Sequence, residues 1–330
     1  MTDTKLVTVF GATGLQGGSV VQSLLANKSG QFSVRGITRN LDSDKSKALT
    51  ALGVEMVKAD GSNIDQIKNA FRGSWAVFLN TDTESPELNK PDGPTESDFG
   101  ISLVDAAKEV GVQHLVYSGM RSATEATHGV VPVRVYDQKA AIAEYARTKG
   151  FKSAISVSAA WYMENHLSEE MAAHFGGFPF IPDADGYLTL QLPTLGGKGE
   201  MSWVDVGRDY GDIVHAVLLS PETYDKQQVE AISCVASLER FVDGFAKVTK
   251  KRARYVGFDW QSLETHGSLE AETVKGIFGM THHVDPQFAK RFYDPSTAAK
   301  LKAEAAAAKG LTGAEAELQT IDGFLTKYFG

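Results

Sequence analysis

Over the first half of the 330-residue chain, apolar positions alternate between two patterns. Short, nearly unbroken apolar runs recur: Val7-Thr8-Val9, Trp75-Ala76-Val77-Phe78-Leu79, His114-Leu115-Val116-Tyr117 and Ser153-Ala154-Ile155-Ser156-Val157. Phe32-Ser33-Val34-Arg35-Gly36-Ile37-Thr38-Arg39 and Glu55-Met56-Val57-Lys58-Ala59 add two runs with polar positions interleaved. Runs of this length, rich in β-branched residues, predict buried strands. Between them apolar residues recur every three or four positions, as in Val20, Val21, Leu24 and Leu25, or Leu103, Val104, Ala107 and Val110. That spacing predicts helices, here after Gly17 and over 46–52, 64–71, 101–110 and 140–149. Strand and helix in alternation predict an α/β protein with a doubly wound parallel sheet.

Beyond residue 160 the rhythm breaks. Trp161-Tyr162-Met163-Glu164-Asn165 opens an aromatic-rich stretch, and 175–182 is dense in Phe, Gly and Pro. One more strand-to-helix passage is expected at 201–219. The rest reads as mostly helical, closing on an alanine-rich helix over 296–309 bounded by Asp294-Pro295 and Gly310. The expected division is a nucleotide-binding domain over 1–160, with 200–220 returning to it, and a smaller, mostly helical domain over 161–330. No internal repeat is visible.

Composition narrows the class. The net charge of −8 leaves no basic surplus for neutralising phosphates, which argues against nucleic-acid or anionic-membrane binding. Cys234 is the only cysteine, so no intrachain disulfide or multi-cysteine metal site forms. Met1-Thr2-Asp3-Thr4-Lys5 runs directly into the first strand, and no apolar run reaches membrane-spanning length. The expectation is a cytoplasmic protein, with a nuclear one allowed.

The junction after the first strand carries chemistry. Gly11, Gly14 and Gly17 are spaced by three between strand and helix, the setting of a dinucleotide-binding turn in a Rossmann fold. Gly11 allows the tight turn, Gly14 a close backbone approach to a pyrophosphate, and Gly17 close packing of helix on strand. Thr13, Leu15 and Gln16 complete the loop as cofactor contacts. The second strand ends at Arg39, where a site choosing NAD places an acid. A guanidinium suits a 2′-phosphate, so NADP(H) is expected. Asp60 and Gly61 end the third strand, where Asp60 is either an adenine contact or a helix cap. Asn80 and Thr81 end the fourth, on the edge where ligands bind. The run 82–94, with Pro86, Pro91 and Pro94, reads as a loop over the site.

These residues, with Val116-Tyr117-Ser118-Gly119, Lys139 and Tyr162-Met163-Glu164-Asn165, resemble the NmrA-like family of atypical short-chain dehydrogenases. That family includes a fungal nitrogen-repression regulator and a human redox sensor. The stretch 311–325 is similar to the family's last helix. The resemblance implies a Rossmann domain that binds NADP(H), with Tyr162 and Asn165 near the cofactor. It further implies either regulation through a protein partner or reduction of a small molecule.

Short-chain dehydrogenases pair a tyrosine with a lysine four residues on, so that the ammonium favours the phenolate. Ser118 and Lys139 match the family's serine and lysine, but Val135 stands at the tyrosine position. Tyr136, three before Lys139, is turned about 100° from it on a helix. Tyr136 and Tyr162 are therefore candidate proton donors, each also readable as a packing tyrosine. Lys139 is a candidate ribose contact. His282, His283 and Asp285 do not make a metal site, since adjacent histidines point apart. The leading expectation is an NADP(H)-binding redox sensor or regulator; the alternative is an NADPH-dependent reductase of a quinone, ketone or enone.

Overall fold

A computed structural model describes residues 4–90 and 92–330; Met1, Thr2, Asp3 and the loop proline Pro91 lie outside the described residues. Six strands follow the expected rhythm: β1 (Lys5–Val9), β2 (Phe32–Thr38), β3 (Glu55–Lys58), β4 (Ala76–Leu79), β5 (His114–Tyr117) and β6 (Ser153–Ala159). All pair in parallel, in the order β6-β5-β4-β1-β2-β3. The order reverses between β1 and β4, which opens a crevice at their carboxyl ends.

A seventh strand completes this sheet from far along the chain. After β7 (Trp161–Tyr162), β8 (Leu188–Pro193) and β9 (Met201–Val204), β10 (Gln228–Ala231) pairs in parallel with β6, Glu230 standing opposite Ser158. The remaining strands, β11 (Cys234–Ala236) and β12 (Ala253–Phe258), belong to small sheets β11-β9-β7 and β12-β8. The second half thus carries six strands among its helices, where the sequence pattern offered one at 201–206.

Both faces of the main sheet are covered. One core gathers Val9, Phe78, Val116, Tyr210 and Val214 under the helices Leu15–Leu25 and Gly211–Leu219. The other gathers Ile67, Phe71, Leu79, Leu103 and Ile142 under Ile64–Phe71, Glu96–Glu109 and Arg134–Thr148. The helix expected over 101–110 begins at Glu96 because Thr95 and Asp98 form a capping box, each side chain satisfying the other's backbone N–H. A third core, with Trp203, Phe241, Phe245 and Phe278, supports the residues that wall the deep end of the crevice.

The alanine-rich helix Ser296–Lys309 is held by more than intrinsic propensity. Lys302 is buried, its Nζ 2.9 Å from Asp209 Oδ1 and 2.8 Å from Asp212 Oδ2. Asp212 also accepts from Ser23 at 2.5 Å, which ties this tail to the helix after the glycine-rich loop. Among the described residues, no helix is long and apolar enough to cross a membrane.

Candidate active site

One cleft of about 850 Å³ runs along the carboxyl ends of the strands. Its first end is the glycine-rich loop. Gly11 has φ +74°, a left-handed conformation that glycine adopts without strain. Gly14 caps the following helix without a side chain, and the first backbone bond there is Gly18 N–H to Gly14 O at 2.8 Å. The N–H groups of Leu15, Gln16 and Gly17 thus head a helix whose dipole favours an anion. A Cβ on Gly17 would meet Gly11 O at 2.2 Å, so only glycine lets the helix approach the loop this closely.

Arg39, Asp60 and Gly61 line the same end, beside the Phe10–Phe99 ring pair, whose centroids are 6.3 Å apart. Arg39 is exposed and makes no hydrogen bond or ion pair with a described residue. The Asp60 carboxylate accepts from the Ser62 N–H (3.0 Å) and hydroxyl (2.8 Å), and these bonds hold its pKa down. It stabilises the turn into the next helix while bordering the cleft.

Asn80, Thr81 and Ser118 lie in the middle. Lys139 Nζ donates to Thr81 O at 2.9 Å and Thr81 Oγ1 at 3.0 Å, and pairs with the buried carboxylate of Glu96. Burial lowers the Lys139 pKa, and the Glu96 charge opposes that shift. Glu96 and the Tyr117 hydroxyl both meet Thr81 Oγ1, so the four side chains form one closed network.

Ser118 belongs to a second network. Its hydroxyl donates to Gln16 Oε1 at 2.6 Å, and Gln16 Nε2 donates to the Tyr162 hydroxyl. Burial raises the Tyr162 phenol to about 12, against the Gln16 bond, which lowers it. Burial also raises the Tyr136 phenol strongly, with the charge of Glu230 adding to the shift.

The deep end is apolar with one ion pair. Trp161, Met171, Met201, Val274, Ile277 and Met280 supply most of the apolar wall. Arg121, just past β5, pairs with Glu230 on β10, and each side chain is 12% exposed. Burial raises the Glu230 pKa against the opposing Arg121 charge.

The model of the family described as NmrA-like matches residues 3–313. The chain belongs to the NmrA-like family. Among curated relatives, the NmrA-like family domain-containing oxidoreductase FrzB of Cladobotryum sp is 40% identical over 333 residues, covering 99% of this chain and 98% of FrzB. The similarly named cpsB of Aspergillus campestris is 45% identical over 326 residues, covering 96% and 95%. Among solved structures, NmrA, a negative transcriptional regulator in complex with NAD, superposes with a TM-score of 0.76 at 19% identity, over 99% of this chain and 96% of NmrA. Citrobacter sp. triphenylmethane reductase complexed with NADP(H) gives 0.69 at 17%, over 98% and 99%. At these identities the two structures speak for the fold.

In this NmrA-like chain, most residues singled out in the sequence share one wall: Gly11, Thr13, Gly14, Gln16, Arg39, Asp60, Gly61, Asn80, Thr81, Ser118, Tyr136, Lys139, Tyr162 and Asn165. Leu15 and Gly17 stand off it. The Leu15 side chain turns outward, 46% exposed, and Gly17 is packed against Gly11. Tyr136 does reach the cleft despite its offset on the helix, as does Val135. Ser118 and Lys139 are held in separate hydrogen-bond networks, Ser118 with Gln16 and Tyr162 and Lys139 with Thr81 and Glu96. Glu164, within the Tyr-Met-Glu-Asn stretch, accepts the Gly207 N–H at 2.8 Å and so ties that stretch to the turn after β9. His282 Nε2 lies 2.9 Å from Thr194 O, and Asp285 caps the helix Pro286–Phe292 at the Gln287 N–H.

Sequence reasoning missed Glu96, Arg121 and Glu230. Glu96 looks like an ordinary acid in a first helical turn, and only tertiary packing buries it. Arg121 and Glu230 meet through β10, whose polar-apolar alternation over four residues gave too short a signal.

Proposed function

We propose that this chain is an NADP(H)-dependent oxidoreductase that reduces a small, largely apolar carbonyl or quinone. One observation carries the reading: a single cleft joins an uncapped helix N-terminus and an arginine with no described partner at one end to two half-buried tyrosines and an apolar wall at the other. The residues present fit a dinucleotide. Gly11 and Gly14 leave room for a pyrophosphate over the helix N-terminus, and Arg39 suits a 2′-phosphate. Phe10 and Phe99 flank an adenine site. When bound, the reduced nicotinamide supplies a hydride. The protein's own residues orient the substrate, exclude water and deliver a proton. Relatives at 40–45% identity that carry the name oxidoreductase support the same reading.

The sensor reading keeps one observation in its favour. Lys139 is locked to Glu96, and Val135 occupies the usual tyrosine position, so the family's ordinary acid is absent. A protein partner and a cytoplasmic or nuclear setting belong to that reading. NADPH consumption against quinones, ketones and enones separates the two, with products checked for a gain of two hydrogens. Tight NADPH binding with no turnover on any of these classes would overturn the oxidoreductase reading and leave the sensor.

A further inference from the structure

We infer that Tyr162 is the proton donor to the substrate oxygen and that Gln16, within the glycine-rich loop, is its positioning residue; this rests on the oxidoreductase reading. The structure sets the Gln16 carbonyl oxygen against Ser118 Oγ, which donates to it at 2.6 Å, and the Gln16 amide nitrogen against the Tyr162 hydroxyl. The Tyr162 oxygen therefore accepts, and its own proton is left to point into the cleft that the ring lines.

Tyr136 lacks such a partner. Its hydroxyl has no hydrogen bond to a described residue, and its ring faces the Glu230 carboxylate and the Tyr162 and Tyr293 phenols. Each phenol faces a carboxylate, Glu230 at Tyr136 and Glu164 at Tyr162, but a phenolate at Tyr136 gains no donor from a described residue, whereas one at Tyr162 gains the Gln16 N–H. The two phenols line one cleft but differ in what their conjugate bases would meet, and that difference selects Tyr162. Gln16 is itself only 5% exposed and Ser118 only 3%, so water does not compete for the bond.

A substrate carbonyl carbon gains a C–H bond, with the hydrogen and two electrons taken from the dihydronicotinamide, and the C=O π bond breaks. The resulting alkoxide oxygen takes the Tyr162 proton. The phenolate left behind is held by the Gln16 N–H and regains a proton from water after release. A quinone takes the same hydride at a carbonyl carbon and the same proton on that oxygen. The hydroxydienone so formed then loses its new C–H proton to water while its second oxygen gains a proton from water, which gives the hydroquinone.

The test uses the full chain with NADPH and whichever carbonyl or quinone gives turnover. Tyr162→Phe should lower kcat by roughly 10²–10⁴, the range for loss of a positioned general acid, with NADPH binding retained by fluorescence titration. Gln16→Leu removes the donor to the phenolate and should lower kcat with KM and NADPH binding retained. Gln16→Glu offers only an acceptor when ionised, turns the Tyr162 proton inward, and should regain kcat as the carboxyl protonates at acid pH. If Tyr162→Phe fails to fold, judged by circular dichroism, the two Gln16 variants decide alone. Full kcat in Tyr162→Phe, or a Gln16→Glu profile that runs parallel to wild type at acid pH, overturns the proposal and leaves the oxidoreductase reading standing. Absence of wild-type turnover on every class, with NADPH bound, overturns that reading and the proposal together.

Discussion

Lys139 and Glu96 form an ion pair between two helices, sealed from solvent, with side-chain exposures of 8% and 1%. The lysine that a short-chain dehydrogenase turns toward its tyrosine is here held against a carboxylate on the neighbouring helix. Its position next to Thr81 makes it a strut for the end of β4.

The first expected outcome concerns that strut. Glu96→Ala strands a buried ammonium and should destabilise the fold by about 3–5 kcal/mol. Replacing both partners, Glu96→Leu with Lys139→Met, should restore much of that loss, since an apolar pair needs no desolvated charge. Urea unfolding of the single and double variants checks this. Equal midpoints for wild type and Glu96→Ala would remove the pair from any structural role.

Cofactor choice should follow Arg39. Its exposed guanidinium has no described partner to release before binding a 2′-phosphate. Arg39→Ala should weaken NADPH by about 1.5–3 kcal/mol, the scale of a hydrogen bond to a charged group, and leave NADH nearly unchanged. Fluorescence titration with both cofactors reads the difference. Equal wild-type affinity for NADPH and NADH counts against it.

The segment 82–94 should gain protection when the cofactor binds. Asp82, Thr83, Glu84, Ser85, Glu87 and Leu88 all border the cleft, and among its described residues the run carries only the short turn Pro86–Asn89. Hydrogen exchange with and without NADPH measures it. Identical exchange in both states argues that this loop does not respond to the ligand.

His166 should set part of the acid sensitivity. Its ring is fully buried among Phe175, Phe178, Trp203 and Phe241, with neither nitrogen hydrogen-bonded to a described residue. Burial lowers its pKa from 6.5 to about 3. The unfolded chain therefore takes up a proton that the folded one refuses between these values. The contribution is present in full above the unfolded pKa and is lost as pH falls toward the folded one, on the order of a few kcal/mol. His166→Leu should flatten the stability profile between pH 6.5 and 3 relative to wild type, read from urea midpoints across pH. Parallel profiles would mean that the ring does not carry the dependence.

The order of β1 to β6 was legible because each strand is buried and announces itself as an apolar run bounded by helix-forming residues. The cofactor end was legible for a local reason: the glycine-rich loop, Arg39, Asp60 and Gly61 sit directly at strand ends. What stayed hidden depends on distance along the chain. Gln16 and Tyr162 touch across 146 positions, and Arg121 and Glu230 across 109. Lys302 reads as a solvated lysine on an alanine-rich helix, yet three neighbours at Arg208, Asp209 and Asp212 bury it. Local pattern cannot report a partner that only the fold brings near.

The seventh strand has a consequence for how such a protein diversifies. β10 hydrogen-bonds Glu230 into the same rigid sheet that carries Arg121 past β5, so the charged floor of the deep end is welded to the reaction centre. The opposite wall is different in kind. Glu270, Thr273, Val274, Ile277 and Thr281 face the cleft from one side of a single helix, Leu269–His283, outside that sheet. Substitutions on this roof can reshape what the cleft admits while the floor keeps its geometry. A lineage can therefore exchange substrates by redrawing one helix face and leave the chemistry beneath it undisturbed.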